Sequence, residues 1–220
     1  MRKMFTAILC GLSIVTVAGS ALAANEPVRI VRGTAVLDGK LDDFVAAGAE
    51  VCKIYPPDFS GKTQGPSSPE DQSAVVYAMY DDDYFYIGAN VTDDKLVMER
   101  SGGSIWENDE VGFWLAGYQF GIAVDKETGK PFVQDWMNSG ARSEASVVQT
   151  ATGWIAEAKL SLADLRAKGV VIEKGKSVQF AVTTDDCDTP GGGWEGNLQF
   201  PTSWTWNQPA TFATATFEEG

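Results

Sequence analysis

Residues 72–94, QSAVVYAMYDDDYFYIGANVTDD, hold two runs of aromatic and β-branched residues joined by three consecutive aspartates. Side chains of a strand alternate between its two faces, and a short polar turn reverses the chain, so this pattern predicts a β-hairpin. The same texture recurs at 28–39, which ends in the turn pair Asp38-Gly39, and at 110–124, 143–162 and 176–186. Residues 53–71 carry prolines at 56, 57, 66 and 69 and read as a long loop. One helical turn is expected, at SLADLRAKG (161–169), with Ser161 as N-cap and Gly169 as stop. Strands at short regular spacing predict an all-β fold, an antiparallel, jelly-roll-like β-sandwich with one short helix.

Residues 1–23 open with Arg2 and Lys3, continue through an apolar stretch and close on Ala21-Leu22-Ala23. This is the pattern of a cleaved signal peptide, with Cys10 inside it. The apolar run falls short of the ~20 residues of a spanning helix, so a membrane-spanning chain is not expected. Residues 24–220 are then expected to form a single domain, periplasmic or secreted. The net charge of −13 becomes about −15 once the leader is removed. Such an acidic surface repels nucleic acid and anionic lipid. The absence of histidine excludes Ser-His-Asp and Cys-His catalysis and imidazole-ligated zinc. Beyond the leader lie Cys52 and Cys187, which in an exported chain form either a disulfide or two separate buried thiols.

The stretch SIWENDEVGFWL (104–115) places Glu107, Asp109 and Glu110 between Trp106 and Trp114. Read as an extended strand entry, it puts Glu107 and Asp109 on one side, about 7 Å apart. That spacing is permissive for a glycosidase carboxylate pair, but it occurs in any acidic i, i+2 pair. A solvated strand entry accounts for it, with Asp109 bonding local backbone N–H groups, and no enzyme is expected. Alternation places Val111, Phe113 and Leu115 in the core and Glu110, Gly112 and Trp114 on the opposite face. Gly121 and Ala123 share the corresponding outer face of the next run. Glycines inside strands imply a close approach, by a ligand in a groove or by a covering loop.

The ordered set IVRGTAVLDGKLDDF, YDDDYFYIGANVTDDKL, SIWENDEVGFWL, YQF, TGWIAEAKLSLADL and WNQPATF resembles the family 9 carbohydrate-binding module and its relatives. The resemblance spans residues 28–217 and implies a β-sandwich associated with glycan-degrading systems. In sugar-binding members, two tryptophans sandwich a terminal sugar ring, and their positions match Trp106 and Trp206. Trp114, Trp194 and Trp204 are further candidates, while Trp136 and Trp154 are expected to be packing residues. The resemblance also implies polar readers of sugar hydroxyls, and here the chain departs from the pattern. Gly112 stands at the family's glutamate, Gly121 at its arginine and Ala123 at its asparagine. Glu110, Gln119, Asn207 and Gln208 are candidate substitutes.

Some family members hold structural calcium, for which Asp38, Asp93 and Asp94 are candidate ligands; Asp81–Asp83 and the cluster Asp185, Asp186 and Asp188 are further acidic groups. Cousins of this sandwich hold haem b. Here that would need Met79, Met98 or Met137 paired with Lys95 or Lys159, and methionine serves mostly as packing, so no haem is expected. The function expected is an exported, non-catalytic module that binds an oligo- or polysaccharide, with a glycan-degrading enzyme as partner. The alternative is a haem-binding or protein-interaction sandwich that has lost the sugar site.

Overall fold

The computed structural model describes residues 27–56 and 65–219. The signal peptide expected at 1–23 and the middle of the proline-rich loop, 57–64, lie outside the described residues. In chain order the elements are β1 (Val28–Arg32), α1 (Asp42–Ala46), β2 (Glu50–Ile54), β3 (Gln72–Tyr80) and β4 (Tyr84–Asp93). After a 3-10 turn (Gly102–Glu107) come β5 (Glu110–Leu115), β6 (Tyr118–Val124), β7 (Pro131–Asp135), β8 (Ser143–Gln149) and β9 (Gly153–Ser161). Then follow α2 (Leu162–Ala167), β10 (Ser177–Asp186), β11 (Gly196–Phe200), a second 3-10 turn (Pro209–Thr211) and β12 (Ala213–Glu218).

The strands join along the path β7-β6-β5-β10-β12-β1-β3-β4-β9-β8, with β11 beside β10 and β2 beside β3. The path doubles over, so that β7 meets β8 and β6 meets β9, and the apolar faces close on each other. Val111, Phe113, Leu115, Phe120 and Ile122 enter that core beside Phe85, Trp154, Phe180 and Phe217. Phe113 stacks on Phe120 with ring centroids 5.2 Å apart.

Local chemistry sets the turns. Asp81 Oδ1 accepts from the N–H groups of Asp83 and Tyr84, both at 2.8 Å, which closes the β3–β4 hairpin at the aspartate run. The β5–β6 hairpin turns on Ala116 and Gly117, with φ of 52° and 89°. Two positive φ values match the right-handed strand twist. Ser161 caps α2 by accepting from the Asp164 N–H.

The all-β sandwich is as expected, with one difference in strand direction, and of the two alternatives for the cysteines the separate buried thiols are found. The sandwich is mixed rather than purely antiparallel, because β1 runs parallel to both of its neighbours, β12 and β3. The Cys52–Cys187 disulfide is not formed. Cys52 is buried on β2, whereas Cys187 follows β10 and its thiol donates to the Thr189 carbonyl at 3.8 Å. Among the described residues, no helix is long and apolar enough to cross a membrane.

Glu157 on β9 is fully buried, and one carboxyl oxygen accepts from the Gly39 N–H at 2.6 Å while the other has no hydrogen-bond partner. Burial, reinforced by Asp38 and Asp43, pushes its pKa up to about 7. The folded state therefore binds this proton more tightly than the unfolded chain does. The stabilisation is complete below the ordinary glutamate value of about 4.3 and disappears as pH rises through about 7. Melting temperature should fall over that window in the parent, and the Glu157→Gln variant should show a flatter profile. An unchanged slope in the variant would contradict this assignment.

Candidate ligand groove

The outward faces of β5, β6, β10 and β11 form the floor of a groove of about 520 Å³. That size suits a small ligand, for which sites run roughly 300–1,000 Å³. Strand register sets the floor in rows. Glu110 lies opposite Asp185, which lies opposite Asn197. In the next row Thr183 faces Gly112, and Gly112 faces Gly121. Beyond them Trp114 faces Gln119.

The walls come from connections. The first 3-10 turn raises Trp106, the segment after β7 supplies Trp136 and Met137, and the loop before β11 supplies Trp194. Trp204 and Trp206 come from the loop after β11. Trp106 and Trp206 thus open onto one groove, and they are 47% and 64% exposed, large values for indoles. Trp106 leans edge-on to Trp194, with centroids 6.4 Å apart. Trp114 packs against Trp204 and Phe212 at 4.8 and 5.8 Å. Trp154 alone of the seven tryptophans belongs wholly to the core, and its indole N–H donates to Asp93 at 3.2 Å.

The paired glycines have a packing reason. A Cβ on Gly121 would sit 2.6 Å from the Trp136 ring and 2.7 Å from Glu110 Oε2, and one on Gly112 would sit 2.5 Å from Thr183 Oγ1. Both explanations open in the sequence therefore apply, since a groove exists and Trp136 covers part of its floor. Trp136 is anchored there by donating its indole N–H to the Gly103 carbonyl at 3.0 Å. The space beside Gly112 is filled by the Thr183 hydroxyl and the Glu110 carboxyl, and that beside Gly121 by the Trp136 ring and the same carboxyl. Sequence reasoning treated Trp136 as packing and missed it as a lining residue.

Glu110 and Asp185 are 2% and 8% exposed. Burial, and then the charge of Asp185, pushes the Glu110 carboxyl well above its usual range. Asp185 is also raised by burial, and it accepts from the Trp194 indole N–H at 2.8 Å. Two carboxyls opposed in a dry floor cannot both ionise cheaply, so they share a proton.

Other sequence candidates lie elsewhere. Gln119 lines the groove, but Asn207 faces a small cavity on the far side of Trp206. Glu107 pairs with Arg100 at 3.2 Å. Asp109 is buried and accepts the N–H groups of Val97 and Cys187, from remote rather than local segments. The two do not form a facing pair, because Trp106 and Glu107 sit on a 3-10 turn instead of an extended strand. Met79 is core packing, and Met98 accepts the Val124 N–H. Lys95 and Lys159 form ion pairs with Asp188 and Glu144.

Asp38, Asp93 and Asp94 are not brought together. Asp38 folds back onto Lys40, both Asp93 oxygens are engaged by Lys95 N–H and Trp154, and Asp94 is exposed. The acids that converge are Asp71, Asp186 and Asp188, whose oxygens lie within 4.8 Å of one another. Asp186 is only 4% exposed, and its Oδ1 and the Oδ1 of Asp188 are buried without a hydrogen-bond partner. Orphaned carboxylate oxygens at one point fit a hard cation such as calcium. Asp71, from the loop before β3, has no local motif to mark it in the sequence.

Residues 37–220 match the family described as carbohydrate family 9 binding domain-like. A family 9 carbohydrate-binding module from Caldicellulosiruptor kristjanssonii, solved with glucose, superposes with a TM-score of 0.66 at 16% identity, covering 89% of this chain and 97% of that one. The same kind of module from that organism with cellotriose gives 0.65 at 16% identity, covering 89% and 95%. A protein from Bacteroides uniformis gives 0.56 at 13% identity, covering 88% and 99%. At these identities the structural likeness bears on the fold. No curated protein sequence matches the chain significantly. The sequence match over nearly all of the described residues decides the matter: the chain belongs to the carbohydrate family 9 binding domain-like family.

Proposed function

We propose that the chain is an exported, non-catalytic module that binds an oligo- or polysaccharide in the tryptophan groove, with Trp106 and Trp206 packing on the sugar and a glycan-degrading enzyme as its partner. The observation that carries this reading is the pair of large, exposed indoles opening onto one groove in a chain of this family. The C–H face of a pyranose buries apolar area on an indole while its hydroxyls stay free to bond. Gln119, Asn197 and Thr183 supply neutral polar groups along the floor. Catalysis has no support in the groove's acids, because Glu110 and Asp185 lie side by side on paired strands in the floor. A glycosidase instead holds its carboxyls about 5 Å or more apart across the sugar.

Titration of tryptophan fluorescence with soluble oligosaccharides from cellulose, xylan, pectin and chitin tests the reading. Covering roughly 80 Å² of indole at ~25 cal/mol per Å² contributes about 2 kcal/mol. Trp106→Ala alone should therefore weaken binding about 30-fold. Saturable quenching that the variant does not alter would move the sugar elsewhere.

The Asp71, Asp186 and Asp188 cluster is assigned to a structural calcium ion, with the acids supplying oxygen ligands. A cation at 100 times its Kd adds about 2.7 kcal/mol, or about 8 °C for a domain of this size. Chelation should lower the melting temperature by that order, and Asp186→Asn should remove the response. A melt indifferent to calcium would remove the assignment.

A further inference from the structure

We infer that the groove selects a sugar bearing a free ammonium group, of the glucosamine type, over neutral and acidic sugars. This rests on the carbohydrate-binding reading and adds the charge of the ligand to it. Among the described residues, the only ionisable side chains lining the groove are two acids, Glu110 and Asp185, which sharing one proton still carry one negative charge between them. No lysine or arginine lines it, and Arg100 beyond the rim is held by Glu107 at 3.2 Å.

The walls point to the same ligand. Trp106, Trp114, Trp136, Trp194, Trp204 and Trp206 surround this acidic floor. Indole faces carry negative potential and attract ammonium groups, most strongly where water is excluded. Glu110 Oε2 is buried with no hydrogen-bond donor in reach. Asp185 gives one oxygen to the Trp194 indole N–H at 2.8 Å. An ammonium group is all donor and no acceptor, so it suits these carboxyl oxygens better than a hydroxyl does. The net charge of −13 adds a field of the same sign, which repels a uronic acid.

The experiment compares trimers of one backbone: β-1,4-linked glucosamine, N-acetylglucosamine and glucose, together with a galacturonic acid trimer. All are titrated against the full chain by tryptophan fluorescence. At about pH 6 the glucosamine amine is charged, its pKa lying near that of an α-amino group, about 7.7. The glucosamine trimer should bind at least about tenfold more tightly than the glucose trimer, as one ammonium–indole contact in a partly dry site implies. Glu110→Gln and Asp185→Asn should each reduce that preference, read within one variant as the ratio of the glucosamine-trimer to the glucose-trimer affinity. Raising salt from about 0.05 to 0.5 M should weaken only the glucosamine trimer, a readout that needs no variant. Equal affinity for charged and neutral trimers, or preference for the neutral or acidic one, would overturn the inference and leave carbohydrate binding standing. Failure of every trimer to bind would overturn the carbohydrate reading itself, and the inference with it.

Discussion

The Trp106→Ala, Trp206→Ala double variant should lose all measurable affinity for the ligand while melting within a few degrees of the parent. The two indoles are 47% and 64% exposed and line one groove. Their removal therefore takes contact area from the ligand and leaves no cavity in the core. If each contributes about 2 kcal/mol by area, the pair contributes about 4 kcal/mol, close to a thousandfold in Kd. Calorimetric titration beside a thermal melt separates lost contact from lost fold. A double variant with parental affinity would show that the groove's floor, or another surface, holds the sugar.

The second large effect concerns the two floor glycines. Introducing polar side chains through Gly112→Glu, Gly121→Arg is expected to destabilise the fold rather than improve the site. New Cβ atoms would meet Thr183, Glu110 and the Trp136 ring at 2.5–2.7 Å, in a layer where every β5 residue is buried. Overpacking costs roughly 1–3 kcal/mol per site, so the pair should lower stability by about 4 kcal/mol and the melting temperature by roughly 10 °C. Adding Trp136→Gly should recover part of the loss by clearing the ring that blocks Gly121. A double variant of parental stability would mean that the floor is open and Trp136 does not seal it.

Features carried by short-range pattern were legible in the sequence. The Asp81–Asp83 hairpin, the β5 alternation and the Ser161 cap each follow from a few neighbouring residues, and the structure has all three. Trp106 and Trp206 were singled out by position within a family pattern; the structure gives their exposure and their common groove. What the sequence did not show depends on contacts across the fold. β1 runs parallel to two strands distant in the chain. Trp136 enters the groove because Gly121, on a different strand, leaves room for its ring. Asp71 meets Asp186 and Asp188 from more than a hundred residues away, a convergence that no local spacing encodes. The extended reading of Glu107 and Asp109 failed because a 3-10 turn separates their directions, and nothing in WEND marks that turn.

The most direct test of sugar binding in the groove is the indole N–H region of a nitrogen-resolved NMR spectrum of the chain, recorded as sugar is added. The seven tryptophans give seven assignable reporters. The signals of Trp106 and Trp206 should move most, those of Trp136 and Trp194 should follow, and that of Trp154, sealed in the core against Asp93, should stay fixed. Saturable binding that leaves the groove indoles unmoved would place the sugar on another surface and contradict the account.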